Sequence, residues 1–563
     1  MPDVCWEARM RVAEAVAGAL AEHGVSCLFG VLGDGNLPIL DVLVREHGAD
    51  YVAAAREDGA VLMADGYARA GGRLGVATVT HGPALTNAVT ALTEAARART
   101  PMLLIAADTP PGDRRNPQAI DQEDVVRPTG AGVQRVHSAE SAVADVVRAV
   151  RRAFTERRPI VLNVPTPLLG LEAGDGPGTF LADRTPLPPP RDEEVRRVAA
   201  ALERAERPVI VAGRGAAEAR DELVGLAERT GALLATTLKA KGFFSGEPYD
   251  VGVCGGFATG IGRRLIREAD LLLAVGASLN SFTVDGGRML AGNPVIVHND
   301  VRPEAFGEWT PADLRVLGDA KALAAMLAET AVKKTGWRTD ETARRLDEYA
   351  YETEYPDGSD DTGLDPHTVV AALERIVPRE RTLVVEGGHA ALSEPCRGLS
   401  VPDPSGFVFP VNFGSIGLGL ASAIGAATAR PDRVTLAVTG DGALMMNLAE
   451  LDTAVRRGLR LVVVVMNDAA FGYEYHNMLH RGMDTGLSLI PRPDFAAVAR
   501  AFGAAAVTVR TPGELDDLKG LIADPSGPVL VDARLTRAVR TRWFAEHENG
   551  LDPADPDFRP RYR

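Results

Sequence analysis

Apolar positions in the first third of the chain come in short unbroken runs, at residues 27–31, 51–55, 74–80, 102–107 and 160–164. Each run has the length of a strand, and each is followed within a few residues by Gly or Pro. Between them apolar residues recur at the helical period, clearest at 9–23 and in the small-residue run AVLMADGYARA (60–70). Unbroken apolar strands are covered on both faces, so strand–helix alternation of this kind predicts a doubly wound parallel sheet. The rhythm returns twice. PVIVAGRGAA, ADLLLAVGASLN and NPVIVHND mark buried strands of a second unit, and the runs at 384–385, 434–438, 461–466 and 529–533 belong to a third. The Pro-rich, then charged segment TPLPPPRDEE (185–194) reads as a linker. A charged helical stretch (333–354) and the acidic YPDGSDDTGLDP (355–366) read as the second separator. The expected architecture is α/β with three doubly wound parallel-sheet domains, at 1–185, 190–335 and 360–563. The tail ENGLDPADPDFRPRYR (548–563) is expected to be extended.

Composition narrows the function classes. A chain of 563 residues exceeds what one core supports, in keeping with three domains. A net charge of −15 argues against a nucleic-acid partner. No apolar window is long enough for a membrane span and the first residues lack a signal-peptide pattern, so no membrane partner is expected. Cys5, Cys27, Cys254 and Cys396 show neither CxxC nor zinc spacing, which leads us to expect reduced thiols in a cytoplasmic protein. No GxGxxG with a following acidic partner appears, so a nicotinamide dehydrogenase is not expected.

The most informative stretch is TGDGALMMNLAELDTAVRRGLRLVVVVMNDAAFGYE (439–474). A strand ends at Gly440-Asp441-Gly442, helical pattern follows, and a second strand ends at Asn467-Asp468. A parallel βαβ unit brings both polar clusters to carboxyl ends of strands, where open α/β sheets bind ligands. An acid on a Gly-flanked turn facing a second oxygen-bearing pair suits a hard cation such as Mg2+ that also holds phosphate. Glycines there let backbone N–H groups approach a diphosphate.

This spacing resembles the signature of the thiamine diphosphate (ThDP) superfamily that contains acetolactate synthase, pyruvate decarboxylase and benzoylformate decarboxylase. The resemblance covers essentially the whole chain and implies PYR-like, central and PP-like domains. It implies Mg2+ on Asp441, Asp468 (where the family usually has Asn) and the carbonyl of Ala470. Gly440, Gly442, Ala443, Phe471 and Gly472 would surround the diphosphate. VVEGGHAAL (384–392) is similar to a second diphosphate turn, with Gly388 offering backbone N–H and His389 a side-chain donor. NFGSIGLGLASAIGAA (412–427) is similar to the segment whose Gly414 carbonyl would meet the aminopyrimidine N4′ and whose Ile416 would wedge the cofactor into its bent form.

REDGAVLMADGYAR carries Glu57, the implied hydrogen-bond partner of the aminopyrimidine N1′. A glutamate there also suits a helix N-terminus, and Arg56 replaces the family's usual His. In THGPALTN, Asn87 is expected to fix its own turn, and His81 sits at a strand end facing the cofactor. Gln118, or alternatively Gln122, is the implied substrate-side glutamine, and Gly130 stands where the carboligases carry Lys.

Two acids bear on the reaction. Asp34 in GDGNLPILD and Glu474 resemble acids of the pyruvate decarboxylases, whereas overall motif resemblance favours an acetolactate-synthase-like enzyme. The implied activity is decarboxylation of a 2-oxo acid followed by carboligation. The alternatives are a decarboxylase that releases an aldehyde, or a ThDP-binding relative without activity. CGGFATG and GASLNSFT lie where flavin-binding relatives keep contacts, but Asn280-Ser281 replaces a charged pair, so FAD is possible but disfavoured. Glu57 and the diphosphate site would come from different subunits of a homodimer or dimer of dimers.

Overall fold

The computed structural model describes residues 10–113, 115–174, 187–541 and 543–544; Cys5, residues 185–186 of the expected linker and the expected tail lie outside them. The described residues form three six-stranded sheets. The first contains β1 (Cys27–Gly30), β2 (Asp50–Ala53), β3 (Gly75–Val79), β4 (Met102–Asp108), β5 (Gly132–Arg135) and β6 (Pro159–Pro165), in the order β2-β1-β3-β4-β6-β5. The second contains β7 (Pro208–Ala212), β8 (Leu233–Thr236), β9 (Asp250–Val253), β10 (Leu271–Val275), β11 (Val295–Asp300) and β12 (Leu314–Leu317), in the order β12-β11-β10-β7-β8-β9. The third contains β13 (Arg381–Val385), β14 (Phe407–Val408), β15 (Val434–Gly440), β16 (Leu461–Asn467), β17 (Ala505–Val509) and β18 (Val529–Arg534), in the order β14-β13-β15-β16-β18-β17.

Neighbouring strands run parallel in all three sheets. The first and third sheets repeat one winding order, as their shared sequence rhythm suggests. Winding reverses between β1 and β3, between β7 and β10, and between β13 and β15. A crevice opens at the carboxyl ends of such strand pairs. Asp34 and His81 follow β1 and β3; His389 and Asp441 follow β13 and β15.

Several strands gave no sequence signal. Four of them, β5, β9, β12 and β17, form sheet edges, and so does the two-residue β14. In β12 only Val316 is buried and in β17 only Val509, so their apolar pattern is diluted. The charged end of the expected linker instead opens the helix Asp192–Arg204 with three acids in its first turn, where they favour the helix dipole. The acidic separator packs against the third sheet, where Leu364 bridges Leu535. No helix among the described residues is long and apolar enough to cross a membrane. Cys27, Cys254 and Cys396 are free and buried.

The outer sheets meet through two helices, Glu57–Gly71 and Gly419–Ala429. One continuous cluster of buried side chains runs from Phe29, Val52 and Val79 through Met63 and Ile424 to Ala437 and Val463. Both helices are small-residue helices because their backbones nearly touch. A Cβ at Gly66 would collide with the Ser422 carbonyl oxygen, and one at Gly425 with that of Met63. Gly225, inside the helix Arg220–Thr230, would meet nothing within 4 Å. Gly66→Ala is therefore expected to lower stability by about 2–3 kcal/mol through overpacking. Gly225→Ala is expected to raise it by about 0.5–1 kcal/mol through helix propensity and a less flexible unfolded chain. Denaturant unfolding of the two variants against the native chain checks both signs.

Candidate active site

β15 and β16 are neighbours with Gly440 opposite Met466, so Asp441 and Asp468 emerge side by side at the carboxyl ends of two central strands. Asp441 is buried; its Oδ1 accepts from the Gly442 N–H at 2.8 Å and its Oδ2 from Arg492 Nε at 2.9 Å. Asp468 Oδ1 accepts from the Ala470 N–H at 3.1 Å. Burial pushes both carboxyl groups above their ordinary range, Asp468 up to about 7, with the Asp441 charge adding to its rise. The loop after Asp468 is strapped from outside. Phe471 N–H donates to the Ser488 carbonyl (2.9 Å) and Ile490 N–H to that of Ala469 (3.1 Å), which is left-handed at φ 54°.

The glycines here mark close approaches. A Cβ at Gly472 would collide with Asp468 Oδ2 and lie 3.3 Å from His389 Cβ. A Cβ at Gly442 would lie 2.8 Å from Phe471 Cε1 and 3.1 Å from Arg492 Nη2. The structure thus gathers Gly440, Asp441, Gly442, Asp468, Ala470, Phe471, Gly472 and His389, with Ala443 buried in the first turn after Gly440. Gly388 adopts φ 130° beside them.

His389 Nε2 accepts from the Thr541 N–H at 3.1 Å, which leaves Nδ1 to carry the proton of the neutral ring. Its ring centroid lies 4.2 Å from that of His476, and Phe544 packs against both. Burial holds His389 well below the ordinary histidine range and His476 down to about 4. Both rings stay neutral near pH 7.

Ile416 stands over the turn after β13, since a Cβ at Gly387 would lie 3.0 Å from its Cγ2. Gly414 takes φ 78°. Two buried glutamates fix this segment. Glu94 accepts from Asn412 Nδ2 (2.5 Å) and the Phe413 N–H (2.7 Å), and Glu386 from the Leu418 N–H (2.6 Å).

In the first sheet, Glu57 begins its helix and accepts from Asn87 Nδ2 at 3.0 Å. Asn87 therefore orients Glu57 rather than only its own turn. The entry to this helix is held from the third sheet's half of the chain. Glu450, fully buried, accepts from the N–H groups of Ala55 and Arg56, each at 3.1 Å. Asp34 is exposed on a turn braced by Asn36. A Cβ at Gly35 in that turn would lie 2.8 Å from His81 Nε2, so His81 backs the Asp34 turn, and its Nδ1 pairs with Thr80 Oγ1 at 3.0 Å.

The two candidate glutamines separate. Gln122 is buried with both amide atoms engaged, accepting from the Gly82 N–H (3.0 Å) and donating to the Ala107 carbonyl (2.8 Å). Gln118 is half-buried, and its side-chain amide makes no hydrogen bond among the described residues. Glu474 lies exposed in the first turn of Gly472–His480.

Sequence reasoning missed Arg492, Glu450, Glu94 and the contacts of Thr541 and Phe544 with His389; the adjacent aromatics Trp543-Phe544 in a polar terminal stretch were their one local signal. Among the described residues no hydrogen bond or ion pair joins Glu57, Asp34 or His81 to the Asp441–Asp468 turn, and no group of three His, Cys, Asp or Glu side chains is placed to hold a metal alone. Two carboxylates and a backbone carbonyl fit a hard cation whose coordination is completed by ligand oxygens. The CGGFATG segment is filled from within: Phe257 stacks on Trp543 with centroids 5.5 Å apart, and the Gly260 N–H donates to Glu354 Oε2 at 3.0 Å.

Comparison with known proteins matches three family models in chain order. They describe the N-terminal TPP binding domain (residues 10–125), the central domain (195–327) and the C-terminal TPP binding domain (392–533) of thiamine pyrophosphate enzymes. The chain is 29% identical to the acetolactate synthase large subunit of Parasynechococcus marenigrum, over 93% of this chain and 87% of that protein. It is 30% identical to the probable 2-ketoarginine decarboxylase of Pseudomonas aeruginosa, over 90% of each. It is 25% identical to the acetolactate synthase isozyme 2 large subunit of Escherichia coli, over 93% and 95%.

Gln122→Ala leaves the buried Gly82 N–H and Ala107 carbonyl unpaired and is expected to cost about 1–3 kcal/mol. Gln118→Ala is expected to stay within about 0.5 kcal/mol; chemical denaturation separates them. Stability is also expected to fall as pH drops from about 6.5 toward 4, because the unfolded chain takes up protons that buried His389 and His476 refuse. His476→Leu should flatten that dependence by about 1–3 kcal/mol across the window, read from unfolding midpoints at successive pH values.

Proposed function

The chain belongs to the thiamine pyrophosphate enzymes, and within that family we propose that it uses ThDP and Mg2+ to decarboxylate a 2-oxo acid and join the product to a second carbonyl compound. The observation that carries this reading is the convergence of Asp441, Asp468 and His389 at the β13/β15 crevice, on turns where Gly442 and Gly472 leave no room for a side chain. When bound, the cofactor supplies a nucleophilic carbon and an electron sink for the bond to the departing carboxylate. Asp441, Asp468 and the Ala470 carbonyl would hold Mg2+. His389 Nδ1–H and the backbone at Gly388 and Gly442 would hold the diphosphate. Glu57, oriented by Asn87, would hydrogen-bond the aminopyrimidine, with Gly414 supplying a carbonyl and Ile416 an apolar prop. His81, Asp34 and the unengaged Gln118 would face the substrate and position its carbonyl and protons.

Among the described residues no hydrogen bond or ion pair joins Glu57 to Asp441 or Asp468 within one chain. Exposed apolar side chains accompany both: Leu32, Leu37 and Ile120 on one, Met445, Met446 and Leu487 on the other. A second copy that covers them completes the site, so the working unit is a homodimer or dimer of dimers. The internal packing around Phe257 and Glu354 favours an enzyme without flavin. Free, buried cysteines suit a cytoplasmic protein. The second reading, release of an aldehyde, draws on Asp34 and Glu474, two exposed acids able to deliver a proton.

Incubation with pyruvate and larger 2-oxo acids, with and without an aldehyde acceptor, is expected to give CO2 and a 2-hydroxy ketone or acid by product analysis. Aldehyde as the lone organic product would sink the carboligase in favour of the decarboxylase. Glu57→Gln is expected to lower turnover by about 10²–10⁴-fold while ThDP still binds.

A further inference from the structure

Arg492 stands apart from the residues assigned so far. It sits between two prolines, Pro491 and Pro493, in the segment that straps the metal-side loop. Its side chain is only 7% exposed. Nε donates to Asp441 Oδ2 at 2.9 Å, and the guanidinium lies 5.4 Å from the Phe471 ring centroid. Nη2 is buried with no hydrogen-bond partner and stands 3.1 Å from where a Cβ on Gly442 would lie.

A guanidinium is always charged and presents its donors in a fixed fork. A buried donor of this kind left without an acceptor is costly and uncommon in folded proteins. If Arg492 served Asp441 alone, a two-armed pair would satisfy both donors. Instead one arm engages the carboxylate and Nη2 points along the glycine turn. The chain around it is anchored on both sides: Ile490 N–H donates to Ala469, and Asp494 caps the helix Phe495–Phe502 through the Ala497 N–H at 2.9 Å. The guanidinium is held in place, not draped over the surface.

We propose that Arg492 is a diphosphate-binding residue, whose Nη2 donates to a phosphate oxygen at the Gly440–Gly442 turn while Nε stays on Asp441. It also balances one of the two carboxylate charges that meet there. This rests on the ThDP reading of the site. The opposing possibility is that the guanidinium only occupies the place of the cation and leaves when Mg2+ arrives.

Titration calorimetry with inorganic pyrophosphate in the presence of a chelator, then with ThDP and Mg2+, tests it on native chain, Arg492→Gln and Arg492→Lys. Arg492→Gln is expected to weaken pyrophosphate binding without metal at least tenfold, and Arg492→Lys by less. Unchanged pyrophosphate affinity in Arg492→Gln overturns the assignment. So does tighter Mg2+-dependent ThDP binding once the arginine is gone. If Arg492→Gln loses its near-ultraviolet circular dichroism, Arg492→Lys decides alone: weakened pyrophosphate binding supports the assignment and native affinity overturns it. Failure of the native chain to bind ThDP at all would instead overturn the reading on which the assignment rests.

Discussion

Two buried carboxylates, each reaching from one outer half of the chain into the other, hold the molecule's working geometry. Glu450 takes the N–H groups of Ala55 and Arg56 at the entry to the helix that begins with Glu57. Glu94 takes Asn412 and Phe413 at the entry to the segment carrying Gly414 and Ile416. Burial raises the pKa of both, and the donors they collect lower it again, which is the condition for keeping an ionised group out of water. Between them lies the helix crossing where Gly66 and Gly425 bring two backbones into contact. The residues that would touch the two ends of a cofactor are thus positioned by one interface, and strain there would reach both.

A similar balance governs the turn where Asp441 and Asp468 meet. Burial raises the Asp468 carboxyl to about 7, and the neighbouring Asp441 charge adds to the rise. Arg492 contributes the compensating charge from a separate strap, and two neutral histidines back the turn without adding more. Under the proposed reading, a site built this way would keep its acceptors for an incoming cation and its donors for the anion that accompanies it.

Much of this was legible in the sequence because it is local. The buried strands announce themselves as unbroken apolar runs, and Gly440-Asp441-Gly442 and Asn467-Asp468 carry their own strand-end context. Edge strands such as β12 and β17, half exposed, do not. Nor could pattern reveal which glutamine is free: Gln122 is a strut between Gly82 and Ala107, and only side-chain geometry separates it from Gln118. The pairing of Asn87 with Glu57, of Glu450 with Ala55, and of Arg492 with Asp441 links residues far apart in sequence. Periodicity and motif spacing carry no information about such contacts.

In the proposed site Glu57 would act on a cofactor whose diphosphate is held by the Asp441 turn of another copy. Co-expression of Glu57→Gln and Asp441→Ala chains, each inactive alone, tests it through ThDP-dependent CO2 release by the purified mixture. Random pairing gives half the dimers one intact site of two, so recovery of about a quarter of native activity is expected. No recovery in a mixture shown to contain mixed dimers would contradict it, and would return the whole site to a single chain.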